Sequence, residues 1–221
     1  TESSGRVIRT RRGTTEGGEG FLDDYAWSAL SLFLWGCRHD EVACVERGFA
    51  IIRRMLDLFV DSDGGFWLSG PEHTKLPVRQ RSDTDSAVPA GAGVAIEAIL
   101  LMHAIWPESE EGRQGREIAE ASLRRLGEDL VQRAPAYRSI INAAQGMVEP
   151  AATWHIHHSG EEPAAVSELR SSSDWNKIVL SSTSPIGNKD RGDAPWAGWL
   201  CEGMTCKPPV FNEEELVWQG N

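Results

Sequence analysis

Cysteine is scarce, with four in 221 residues. That is far below the density of a disulfide-built scaffold, so a reducing interior, cytoplasm or organelle, is the expected compartment. Long apolar runs are missing as well, and no stretch approaches the roughly 20 residues that a bilayer-spanning helix needs. The first 20 residues are polar and carry Arg6, Arg9, Arg11 and Arg12 without an apolar segment, so no secretory signal is expected within the chain. Basic charge is in deficit: 22 Lys and Arg stand against 33 Asp and Glu, a formal charge of -11. A surface of that sign repels phosphate backbones and anionic lipid, so neither nucleic acid nor a membrane is an expected partner. What is present is material for a core: 40% hydrophobic residues and nine tryptophans.

Apolar periodicity divides the chain into three. Residues 1–20 read as a flexible lead-in, 21–148 as a helical region and 149–221 as a small α/β part carrying Cys-x4-Cys. A first helix runs from about Leu22 to Gly36, with Asp23 and Asp24 in its first turn, where carboxylates suit the positive end of the dipole. Tyr25, Trp27, Leu30, Phe33 and Leu34 spread around it, which makes it too apolar on too many sides for a solvated edge. A second helix puts Val45, Phe49, Ile52, Leu56 and Phe59 on one stripe. Asp61-Ser62-Asp63-Gly64 breaks it with turn chemistry. Further helices are predicted over about 88–106 and 115–133, with another starting at Pro135. After Pro150 the period turns extended: strands over 153–158, 176–181 and 198–201, with a short helix over 164–170.

Three motifs stand in a fixed order. They are Gly20-Phe21-Leu22-Asp23-Asp24-Tyr25-Ala26, then Leu76-Pro77-Val78-Arg79 followed by Asp83, Asp85, Ser86, Ala87 and Pro89. The last is Trp199-Leu200-Cys201-Glu202-Gly203-Met204-Thr205-Cys206-Lys207-Pro208-Pro209-Val210. Together they resemble the C-terminal region of the spermatogenesis-associated protein 20 family, whose bacterial members are thioredoxin-domain-containing proteins. The resemblance implies a mainly α fold: a partial six-hairpin glycosidase-like (α/α)6 toroid of helical hairpins with a small C-terminal α/β appendage. It also implies a parent protein with a thioredoxin-like module upstream. Where the family pattern has glycine, serine and asparagine after the aspartate, this chain has Ser86, Ala90 and Ala92, which removes polar groups from the segment facing a toroid cavity.

The function expected from the resemblance is a domain of undefined reaction with a carbohydrate-related ligand. The enzyme alternative is a sugar epimerase or glycoside hydrolase using Asp24 and Asp85 as cavity carboxylates. Asp23, Tyr25, Arg79 and Asp83 are the matching ligand-binding candidates. Against this stand capping and loop-stitching roles for the same residues, since two adjacent acids point about 100° apart on a helix. A third reading is an interaction module that docks on the missing part of its parent or self-associates. Cys201 and Cys206 are buried structural thiols, a local disulfide or a redox pair, with the first preferred. His155 and His157 share a strand face, but no third ligand is specified, so no metal and no cofactor is expected.

Overall fold

The structure, a computed structural model, describes residues 4–71, 73, 77–174, 176–181 and 193–218; Leu76 of the second motif lies outside the described residues. The expected flexible lead-in is corrected over its described part. Residues 8–19 form an antiparallel ribbon of β1 (Ile8–Arg12) and β2 (Thr15–Glu19). Gly13, at φ 62°, supplies the left-handed residue its turn needs. The ribbon is tied down by an Arg6–Glu19 ion pair at 3.1 Å and by the Tyr25 hydroxyl, which donates to Glu19.

The two periodic stretches that follow become α1 (Leu22–His39) and α2 (Val42–Phe59), hinged at Asp40 with φ 53°. α3 (Gly91–Ile105) differs in kind. Fourteen of its 15 residues are buried, so it is surrounded rather than laid on a surface. α1 packs on it from one side, and α4 (Glu110–Arg125) and α6 (Arg138–Val148) from others. The Ser109 hydroxyl caps α4 by accepting from the Gly112 N–H at 3.0 Å. The single helix predicted over 115–133 breaks at Leu126, and Gly127, a poor helix former, opens the short α5 (Gly127–Gln132). Pro135 falls in a single 3-10 turn, not at a helix start.

Two features of α3 make checkable predictions. A Cβ on Gly93 would meet the Ser139 side chain at 2.4 Å and its backbone carbon at 2.8 Å. Gly93→Ala gains about 1 kcal/mol of helix propensity, but overpacking costs about 1–3 kcal/mol. The backbone clash wins, and urea melts should show a net loss of stability. Glu97, the one half-buried residue of α3, has its carboxyl raised above 4.5 by burial alone. A raised carboxyl favours the protonated fold, a contribution complete below the unfolded value and lost as pH rises through the folded one. Glu97→Gln should therefore raise the melting temperature at neutral pH and leave it unchanged in acid below that range.

The C-terminal part folds as β3 (Ala152–His158), α7 (Ala164–Arg170), β4 (Lys177–Leu180), β5 (Trp196–Glu202) and β6 (Thr205–Cys206), with sheet order β4-β3-β5-β6. β3 and β4 run parallel across α7, as strand-helix-strand requires, and the other pairs are antiparallel. One sheet face, with Trp154, Ile156, Val179 and Leu200, buries Val166 and Leu169 of α7. Ile178 and Leu180 point the other way and join the helical core, where β4 meets α1.

The expected partial (α/α)6 toroid with an α/β appendage is overturned. The chain is mixed α/β, with helices gathered around a buried α3 and a four-stranded sheet sharing their core. A toroid of hairpins would pass from one helical pair to the next around a ring, whereas here α1, α4 and α6 all converge on the one helix α3, and the chain after α6 forms a four-stranded sheet. No helix among the described residues is long and apolar enough to cross a membrane.

Candidate functional site

The residues singled out in sequence gather near the N-terminal ends of α1 and α3, where each has a partner. Asp24 accepts the Phe21 N–H at 2.8 Å, which caps α1, and pairs with Arg9 at 3.4 Å. Asp23 lies on the other side of the turn and accepts the Ser82 hydroxyl at 3.0 Å; that hydroxyl in turn accepts the Gly91 N–H at 3.1 Å. Burial raises the Asp23 carboxyl, against the opposing pull of Ser82. Gly91 has to be glycine here, because a Cβ would stand 1.9 Å from the Asp23 oxygen. Tyr25 is fully buried against Phe59, with ring centroids 5.3 Å apart.

Asp85 bridges two helix starts. It accepts the Ala90 N–H at 2.9 Å, just ahead of α3, and both the Ser139 N–H at 2.9 Å and the Ser139 hydroxyl at 2.5 Å in the first turn of α6. Burial pushes its carboxyl upward, and these donors outweigh it and hold it below 3.8. Asp83 takes Arg125 at 2.7 Å. Arg79 donates to the Ser69 and Leu58 carbonyls and lies over the Trp67 ring, 5.0 Å from its centroid. Arg81 closes the Asp61–Gly64 turn by pairing with Asp61 and Asp63. These side chains stitch residues 77–90 to α1, α3, α4 and α6. Three pockets among the described residues have none of the six candidates in their linings.

Cys201 and Cys206 form a disulfide, which corrects the preferred reading of free buried thiols. They are direct partners across the β5–β6 hairpin, whose two-residue turn opens on Gly203 at φ 58°. Cross-strand pairing brings the Cα atoms to 3.9 Å, a relation that spacing in sequence leaves open. His155 is buried and faces Trp199 across the β3–β5 pair, and His157 sits edge-on to the same indole at 5.2 Å. No cluster of His, Cys, Asp or Glu able to hold a metal occurs among the described residues.

The outward side of α1 is the exposed feature left by this stitching. Tyr25, Ala29, Phe33 and Cys37 are buried, while Trp27, Ser31 and Trp35 face solvent at i, i+4 and i+8. The two indoles are 43% and 56% exposed, and the helical rise sets them about 12 Å apart along the axis. His39 stacks on Trp35, with centroids 3.9 Å apart. Sequence reasoning found Trp27 and missed Trp35; the eight-residue spacing of two tryptophans on one helical face was the available signal. Compared with known proteins, the chain matches no protein-family model and no curated protein.

Proposed function

We propose that this chain is an interaction module, part of a larger thioredoxin-linked protein, which docks through the outer face of α1 onto the preceding portion of the same polypeptide. The observation that carries this reading is the Trp27–Ser31–Trp35 stripe, since tryptophan is the residue most enriched where binding energy concentrates in interfaces. The resemblance to the spermatogenesis-associated family supports the choice of occupant, because that family has a thioredoxin-like module upstream. Consecutive elements of a chain are usually neighbours in space, and α1 is the first helix, so residues before it have the shortest path to its free face. A carbohydrate-related ligand stacked on the indoles is the second reading. Epimerase or glycosidase turnover ranks below both, because Asp24 and Asp85 hold helix starts with the oxygens that chemistry would use. The cytoplasm or an organelle interior goes with the proposal, and no cofactor enters it.

The test is sedimentation velocity on the chain mixed with the polypeptide encoded immediately upstream of it. A one-to-one complex, with tryptophan fluorescence shifted to the blue, is the expected result. Two independent species at tens of micromolar, or a self-association that the upstream piece does not compete away, would sink the proposal. Binding of a soluble oligosaccharide that quenches the same fluorescence would favour the second reading.

A further inference from the structure

A cleft of about 150 Å³ opens where the C-terminal end of α1, the middle of α3 and the start of β4 meet. A cavity of that size accommodates a single aromatic ring. Its floor is apolar, with Leu34, Leu101 and Ile178, and its rim is cationic, with Arg38, Arg170 and Lys177 against one carboxylate, Asp174. This is an inversion of the chain's overall charge of -11.

The three cations are not equivalent. Arg170 is committed to Glu162 by two hydrogen bonds, at 2.5 and 2.8 Å. Lys177 shares Asp174 at 3.6 Å. Arg38 donates to a neutral acceptor, the Ser172 carbonyl, at 2.6 Å, and no carboxylate among the described residues pairs with it. Its place in the last turn of α1 suits a cation at the carbonyl end of the helix. That accounts for the charge but leaves the planar fork of N–H groups beside an apolar hollow without an anionic partner. Cys37 forms part of the wall as a neutral thiol, its pKa pushed up to about 12 by burial.

We propose that this cleft binds a small organic anion, its phosphate or carboxylate held by Arg38 and Lys177 and its apolar body lying on Leu34, Leu101 and Ile178. A guanidinium fork matches the paired oxygens of either group, and the adjacent ammonium adds charge without demanding geometry. Arg38 neighbours Trp35 on α1, but neither tryptophan of the stripe lines the cleft, so anion binding does not require docking at that face.

Calorimetric titration of the full chain with phenyl phosphate, inorganic phosphate and phenol tests it. Phenyl phosphate should bind saturably and at least tenfold more tightly than either of the others, because only it uses both floor and rim. Arg38→Gln keeps a donor for the Ser172 carbonyl and removes the charge; it should weaken binding at least tenfold, with the far-UV spectrum unchanged. Arg133→Ala, which removes an exposed guanidinium outside the cleft, should leave binding as it was. Equal affinity for phenyl phosphate and phosphate would overturn the proposal, as would undiminished binding by Arg38→Gln.

Discussion

Replacing Asp85 with alanine should lower the unfolding free energy by about 3 kcal/mol, the upper end of the usual range for one substitution. The carboxylate accepts from the backbone at the starts of both α3 and α6, and from the Ser139 hydroxyl. Losing a helix cap costs about 1 kcal/mol, and a hydrogen bond to a charged group about 1.5–3 kcal/mol. The contributions overlap, so their sum is an upper bound. For a chain of this length 3 kcal/mol corresponds to roughly 6–12 °C in melting temperature. Because the folded carboxyl is held below 3.8, its contribution is present above the unfolded value and disappears as pH falls through the lowered one. Urea melts of wild type and Asp85→Ala should therefore differ most at neutral pH, and the gap should narrow in strong acid. A difference under about 1 kcal/mol at neutral pH would mean that the bridge between the two helix starts is not what holds residues 77–90 in place.

The second large effect concerns the tryptophan stripe. Trp27→Ser with Trp35→Ser should weaken association with the upstream polypeptide by about a thousandfold. A buried interface tryptophan contributes about 2 kcal/mol or more, and two on one helix face act together, each 1.4 kcal/mol being a tenfold change. The isolated variant should fold as well as the parent, because both rings are about half in water and their removal opens no core cavity. Sedimentation of the mixture and thermal melts of the chain alone separate the two effects. A double variant that melts far below the parent would show that the indoles belong to this chain's own packing. One that melts normally and still associates would place the interface elsewhere.

Local structure was legible where a single face or a single turn decides it. The short helix over Ala164–Arg170 forms on the residues its pattern marks, and the strand expected at 153–158 gains one residue. The arrangement was not legible from the resemblance, although one sign of it was present. From Val94 to Ile105 the chain offers apolar residues on every side with Glu97 as the lone acid, and such a helix belongs at the centre. The β1–β2 ribbon gave no signal, because its strands are exposed and charged without alternation. Partner choice was hidden for a different reason. Asp85 meets Ser139 across 54 residues, and no spacing rule connects them. The same holds for Arg38 and Lys177, which come from opposite ends of the chain to one cleft.

The contact between β4 and the C-terminal end of α1 also sets an order of events during synthesis. The Ser181 N–H reaches Asp40, at the hinge after α1, across 141 residues, and Arg38 reaches the Ser172 carbonyl across 134. At a ribosomal rate of about 5–20 residues per second, roughly 7–28 s pass before that end of α1 can be covered. Through that interval the first two helices must be held by each other and, once it emerges, by α3. Contacts of such long sequence separation form late and slowly. The seam between α1 and β4 is therefore where a nascent chain stays open longest, and where a chaperone or a protease would reach it first.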